Sequence, residues 1–119
     1  MIYAIDFDGT LCVNLYPKIG KPREAVVEYV RQAKEAGGTI ILWTCREGDL
    51  LDQAIQWCRE QEIPIDLVNA NDPSVVERFG SDCRKIYADY YVDDRAIQAD
   101  ELVRRSILRD LSPPVGGGP

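Results

Sequence analysis

The chain has 119 residues, of which 45% are hydrophobic and 29% charged, and its net charge at pH 7 is −6. This length and composition indicate one folded globular domain, and the acidic balance disfavours binding to nucleic acids. No apolar run reaches the roughly 18 residues of a membrane span, and the N-terminus lacks the basic region of a signal peptide, so we expect a cytoplasmic protein with no membrane partner.

Strand and helix patterns alternate along the chain. In chain order, we predict a strand over residues 2–5, a loop or short flap over 11–21, a helix over 22–36, a strand over 39–43, a helix over 49–61, a strand over 63–68, a short helix within 74–84, a strand over 87–92, a helix over 96–111 and a flexible Pro/Gly-rich tail over 112–119. The first of these helices is predicted from Pro22 at its first position, an apolar stripe at helical spacing and the Gly37-Gly38 stop.

This alternation predicts an α/β fold. Strands separated by helices form βαβ units, which build a parallel sheet with helices on both faces, as in three-layer, doubly wound, Rossmann-like domains. We assign residues 1–111 to this single domain. Ligands in such sheets bind beyond the carboxyl ends of the strands, so the residues that follow the strands are the candidates for function.

Acidic and polar side chains follow three of the predicted strands. Asp6 and Asp8 follow the first strand, Thr44 the second, and Asp93 and Asp94 the fourth. Carboxylates gathered at one edge would repel each other unless a cation lay among them, and Mg²⁺ is the divalent ion that best suits a few carboxylates plus a substrate phosphate. We therefore predict a magnesium site formed by Asp6, Asp8, Asp93 and Asp94.

The same residues indicate phosphoryl transfer. Alternate residues of a strand point the same way, so Asp6 and Asp8 can face one site, where one carboxylate attacks phosphorus and the other handles protons. Thr44 and Lys85 supply a hydroxyl and an ammonium group for the phosphoryl oxygens. The chain has no histidine and its four cysteines form no CxxC pair, so histidine catalysis is excluded and the usual zinc sites are disfavoured.

The motifs as a set resemble a known family. The segment Asp6-Phe7-Asp8-Gly9-Thr10-Leu11 resembles the DxDGT/L motif of the haloacid dehalogenase-like (HAD) superfamily. Thr44, Lys85 and Asp93-Asp94 resemble the second, third and fourth motifs of that superfamily, in the family order. The resemblance extends over residues 1–111, so it covers the whole predicted domain.

The resemblance implies a role for each matched residue. Asp6 would be the nucleophile and a metal ligand, and Asp8 would be general acid and then base, with its backbone carbonyl on the metal. Thr44 would bind the phosphoryl group, and Lys85 would stabilise the charge shared by Asp6 and the phosphate. Asp93 would be the metal carboxylate of the fourth motif, with Asp94 as its neighbour or alternate.

The resemblance also implies a phosphatase with an open site. The dehalogenases of the family lack the second aspartate, so Asp8 favours phosphoryl transfer, and the spacing of the motifs leaves no room for a cap domain. We therefore predict a Mg²⁺-dependent phosphomonoester hydrolase that acts through an aspartyl-phosphate on Asp6. Its substrate would be a phosphorylated small molecule or an exposed phosphate on a larger one, and a homo-oligomer would cover the open site.

Several alternatives stay open. Arg84 could replace Lys85 as the catalytic cation, Asp94 could cap the last helix, and Arg46 could bind phosphate or be a surface cation. Asn69 is expected to lie in a turn rather than to bind a ligand. A phospho-accepting receiver-like domain and a catalytically silent binding module are the competing functions, and among enzymes a nucleotide or polynucleotide-end phosphatase competes with a sugar-phosphate phosphatase.

Overall fold

A computed structural model of the protein describes residues 1–111, with side chains described as far as residue 108. Its elements, in chain order, are β1 (Ile2–Ile5), β2 (Cys12–Leu15), β3 (Lys18–Pro22), α1 (Glu24–Glu35), β4 (Thr39–Leu42), α2 (Gly48–Glu60), β5 (Leu67–Val68), α3 (Pro73–Phe79), β6 (Tyr90–Val92) and α4 (Ala99–Leu111). The predicted tail over residues 112–119 lies outside the described residues. None of the helices described is long and apolar enough to cross a membrane.

Four strands form one parallel sheet in the order β5-β4-β1-β6. In this sheet β1 lies between β4 and β6, and Ile5 near its end is paired with Leu42 on one side and Val92 on the other. The carboxyl ends of these three strands therefore lie side by side. The predicted α/β class and parallel Rossmann-like sheet are confirmed, and within residues 1–111 no segment forms a cap domain.

The strands β5 and β6 are shorter than predicted because, just before each of them, a side-chain carboxylate takes the place of a backbone hydrogen-bond acceptor. The Asp66 carboxylate, just before β5, accepts the backbone N–H of Ile40 at 2.8 Å, and Pro64 has no N–H to donate to a neighbouring strand. The Asp89 carboxylate, just before β6, accepts the N–H of Ile2 at 2.6 Å. Each carboxylate thus accepts an N–H that would donate to a backbone carbonyl if the strand were longer.

Residues 11–21, predicted as a loop or short flap, form most of an antiparallel hairpin of β2 and β3, so the segment has regular strands that the prediction did not contain. Most of its side chains are exposed, which leaves no apolar alternation for the sequence to reveal. Pro22 pairs with Cys12 as the last residue of β3, and α1 begins at Glu24, so Pro22 is not the first helical residue. Proline is accepted there because β3 is an edge strand.

The two faces of the sheet carry cores of different size. The larger core joins α1 and α2 to one face, with Ile5, Phe7, Val27, Val30, Ile40, Leu42, Ala54 and Cys58 among its buried residues. The opposite face has a small core of Ala4, Ile41, Ile86 and Ala88. No described side chain of α4 belongs to either core.

Candidate functional site: an acidic cluster at the sheet edge

Three carboxylates meet at the carboxyl edge of the sheet. Asp6 follows β1, and Asp93 and Asp94 follow the neighbouring strand β6. One oxygen from each of the three lies within 4.8 Å of the other two. The backbone continues the pairing beyond the strands, since the Asp6 N–H donates to the Val92 carbonyl at 2.9 Å. The expected convergence of the acids from the two strands is therefore present, and these oxygens are the ones that could hold a cation.

Asp6 is the least exposed of the three acids. Its side chain is partly buried and accepts a hydrogen bond from the Thr10 hydroxyl at 2.9 Å. Burial raises the pKa of Asp6 to about 6, and the nearby charges of Asp93 and Asp94 act in the same direction, whereas the Thr10 hydrogen bond opposes the rise. Desolvation and like charge are the two effects that a bound cation would offset.

Gly9 makes room for Asp94. The φ angle of Gly9 is +86°, a left-handed conformation that favours glycine, and a Cβ at this position would collide with the Asp94 carboxylate. The Asp93 carboxylate accepts the Arg95 N–H at 2.9 Å, which fixes the turn after β6. Because α4 begins only at Ala99, Asp94 does not cap it, and that alternative is wrong.

Asp8 forms an ion pair with Arg46 and does not belong to the cluster of the other three acids. Both oxygens of Asp8 accept hydrogen bonds from the Arg46 guanidinium, at 2.8 Å from Nε and 2.8 Å from Nη2. Arg46 is only 2% exposed, so it is not a surface cation. The hydrogen bonds from Arg46 to Asp8 raise the pKa of the guanidinium above its ordinary value. Among the described side chains, the cluster within 4.8 Å contains three acids, and the Asp8 carboxylate is outside it.

Arg46 also joins separate parts of the chain. Its Nη2 donates to the Lys18 carbonyl at 3.2 Å, and its Nη1 donates to the Leu50 carbonyl at 3.4 Å. The guanidinium lies 5.1 Å from the ring centroid of Phe7 and 5.1 Å from that of Tyr16. One buried side chain therefore connects the loop after β1, the hairpin and the start of α2.

Thr44 is held in position by Asn69. The Thr44 N–H donates to the Asn69 side-chain oxygen at 2.8 Å, and the Asn69 amide donates back to the Thr44 carbonyl at 2.9 Å. Asn69 has a φ of +49°, in the left-handed region that asparagine tolerates better than most residues. The Thr44 hydroxyl accepts the Arg46 N–H at 3.1 Å. Asn69 does lie at a turn, as expected, but its amide also orients a predicted site residue.

The predicted cation and its alternative lie at different places. Lys85 is exposed and lines a separate groove beside α3, and it is not among the described residues that line the acidic cavity. Arg84 donates to the Asn69 carbonyl at 2.9 Å and to Asp82 at 3.2 Å. Arg95 does line the acidic cavity.

The three acids open into a cavity of about 410 Å³, a volume within the usual range for small-ligand sites. The hairpin forms one wall of it, which the loop prediction could not supply. The cavity is lined by Asp6, Asp8, Asn14, Tyr16, Thr44, Cys45, Asp93, Asp94 and Arg95. The sequence signal that could have identified Arg95 and Cys45 is their position directly after Asp94 and Thr44, whereas Asn14 and Tyr16 gave no signal.

Comparison with solved structures identifies a relative of the same size. The chain is similar to a protein described as a conserved protein from Bacteroides thetaiotaomicron, with 34% sequence identity and a TM-score of 0.71 over 92% of this chain and 91% of that chain. No family model and no curated protein matches the chain. The identity and coverage show that the chain belongs to the same family as the Bacteroides protein.

Proposed function

We propose that this member of the family is a Mg²⁺-dependent phosphomonoester hydrolase that forms an aspartyl-phosphate on Asp6. The observation that carries the proposal is the meeting of oxygens from Asp6, Asp93 and Asp94 within 4.8 Å of one another. Their donor set consists of hard carboxylate oxygens, which fit Mg²⁺. Bound there, Mg²⁺ would neutralise the charge shared by the nucleophile and a substrate phosphate.

The proposed reaction has two steps on Asp6. In the first, which Asp8 enters in its protonated form, an Asp6 oxygen attacks phosphorus, the bond to the ester oxygen breaks, and the leaving oxygen takes the proton from Asp8. In the second, water gives a proton to Asp8 and attacks phosphorus, which releases inorganic phosphate and restores the Asp6 carboxylate. The DxD spacing and the presence of both residues along the cavity wall support this division of roles.

Arg46 acts in this proposal as a positioning residue for Asp8. Both oxygens of Asp8 accept hydrogen bonds from the guanidinium, so one of these bonds opens before Asp8 can exchange a proton with the substrate. Tyr16 contacts Arg46 and also lines the cavity.

The phosphoryl oxygens would be bound by Thr44 and by one cation. The Thr44 hydroxyl accepts the Arg46 N–H, which leaves its own proton for a phosphoryl oxygen. Lys85 is the cation that the HAD resemblance implies, and Arg95 is a second candidate because it lines the same cavity as Asp6. A cavity of about 410 Å³ favours a phosphorylated small molecule over a phosphate on a folded macromolecule.

The test is hydrolysis of p-nitrophenyl phosphate by the purified full-length protein with Mg²⁺. We expect EDTA to stop turnover and Asp6→Asn to reduce it by roughly 1,000-fold or more, as removal of a covalent nucleophile does in other enzymes. The matched control is Asp52→Asn, which neutralises an exposed carboxylate on α2 away from the cavity. Undiminished turnover by Asp6→Asn would reject the covalent mechanism.

Two further outcomes would favour the competing functions. A wild-type chain that takes phosphate from acetyl phosphate onto Asp6 and keeps it without turnover would be a phospho-accepting regulatory module. A chain that binds phosphorylated ligands, takes no phosphate and hydrolyses none of them would be a binding module. A panel of phosphorylated metabolites, including nucleotides and sugar phosphates, would then rank the substrates of an active enzyme.

A further inference from the structure

The helix α4 carries an exposed apolar surface. Leu102, Val103 and Ile107 recur at helical spacing on it, and Ile97 lies just before its first turn. These four side chains are between 50% and 61% exposed, although an amphipathic helix normally buries such a stripe. None of the four belongs to either core of the domain. The stripe is therefore unused within the described fold.

A groove on the less covered face of the sheet has matching character. It has a volume of about 380 Å³, and its walls include Val75, Phe79, Ile86, Tyr87 and Tyr91. Phe79, Tyr87 and Tyr91 remain 38–59% exposed. The sheet face behind this groove has the smaller of the two cores, whereas α1 and α2 cover the other face. The groove is thus the part of this face of the sheet that another helix could cover.

In this structure α4 does not occupy its own groove, because no described residue of the helix lines that groove or belongs to either core. The direction in which the chain leaves β6 is set at the acidic site, where Asp93 bonds the Arg95 N–H and Asp94 packs on Gly9.

We propose that two copies of this chain form a symmetric dimer in which each α4 lies in the groove of the other copy. The exchange satisfies both exposed surfaces at once and closes after two subunits, as reciprocal swapping does. The half-exposed side chains of two helices and two grooves amount to roughly 1,000 Å² of apolar surface. With a polar rim added, this approaches the roughly 1,200–2,000 Å² of stable interfaces.

The charges at the two surfaces agree with this pairing. Asp100 lies in the first turn of α4, while Arg78 lies over the rings of Phe79 and Tyr87 at the edge of the groove. The acidic start of the helix would therefore meet a basic side chain on the partner. The dimer does not depend on the proposed phosphatase activity, and either can fail without the other.

The first test is the mass of the full-length protein in solution, measured by light scattering after size-exclusion chromatography. We expect twice the chain mass of 13.4 kDa. Val103→Glu should weaken the dimer by at least about 100-fold in Kd, whereas Arg105→Glu, on the polar side of α4, should leave the dimer intact. A monomeric wild type at 100 μM, or a dimer that survives Val103→Glu, would overturn the proposal.

A mixing experiment separates helix-in-groove exchange from other modes. Phe79→Glu damages the groove, so this variant should also be monomeric, and circular dichroism checks that both variants fold. Mixing it with Val103→Glu restores one undamaged helix and groove pair, so we expect heterodimers to form. Failure of folded variants to form heterodimers would reject the exchange. In a separate test, Val103→Cys should form a disulfide with Cys83 of the other copy, and a disulfide within one chain would also reject the exchange. If either variant fails to fold, Leu102→Ala or Phe79→Ala takes its place in the same comparison.

Discussion

Replacing Arg46 with methionine should be among the most destabilising single changes in this protein. The substitution leaves the Asp8 carboxylate without the two 2.8 Å hydrogen bonds that it accepts, in a place where the Asp8 side chain is only 17% exposed. Removing one partner of a buried ion pair costs about 3–5 kcal/mol. Because Asp8 retains some contact with water, we expect a loss near the lower limit, about 3 kcal/mol.

Urea denaturation followed by circular dichroism measures this loss. With an m value of about 1.5 kcal/mol/M, the unfolding midpoint should fall by about 2 M. The matched control is Lys34→Met, which removes an ion pair to Asp66 with the same 2.8 Å distance but with both side chains exposed to solvent. That change should cost no more than about 1 kcal/mol.

A double-mutant cycle with Asp8→Asn tests the cause. Arg46 also packs on two rings, so part of its effect would persist without the carboxylate. If the ion pair carries most of the effect, Arg46→Met should cost at least about 1.5 kcal/mol less in the Asp8→Asn background. Additive costs, or equal losses for Arg46→Met and Lys34→Met, would refute the reasoning.

Three other predictions concern the site and the thiols. Gly9→Ala should lower the affinity for Mg²⁺ by about 10-fold or more, measured by calorimetry, because the new Cβ displaces Asp94. The control Gly37→Ala has a similar φ of +91° and no atom within 4 Å of the new Cβ, so it should leave the Mg²⁺ affinity unchanged. Removing the side chain that stabilises the phosphoryl charge should reduce kcat by at least about 100-fold, so assays of Lys85→Ala and Arg95→Ala will show which of the two has this role. A small effect of both substitutions would contradict the proposed charge stabilisation. In the Val103→Glu variant, where no partner helix would cover the groove, a thiol reagent at pH 8 should modify Cys45 and Cys83 quickly. Cys12 and Cys58 are buried and should be protected, and burial raises the pKa of Cys58 to about 12; fast reaction of more than two cysteines would contradict this burial.

The sequence was informative where periodicity and strand ends determine the structure. The apolar runs predicted the strands, and their alternation with helices predicted the parallel sheet. From that sheet it followed that Asp6 and Asp93 would meet, since both follow strands that end at one edge. This inference needed only the direction of the strands.

The sequence was uninformative where a side chain decides the geometry through a distant partner. Arg46 reaches Asp8 across 38 positions, and Asn69 orients Thr44 across 25. Neither pairing has a local signature, because arginine is an ordinary surface residue and asparagine an ordinary turn residue. The hairpin was missed for a related reason, since its exposed strands have no apolar face.

The pairing of β1 with β6 has a consequence for the order in which the parts of the site form during synthesis and folding. Asp6 is made among the first residues, but its two acidic neighbours follow a strand that the ribosome delivers only after some ninety residues. Until Tyr90–Val92 pairs with it, β1 is an edge strand of a smaller sheet, and Asp6 has neither of its two acidic neighbours. The proposed ion site is therefore complete only when this strand has joined the sheet, so binding of Mg²⁺ would report that the sheet is complete.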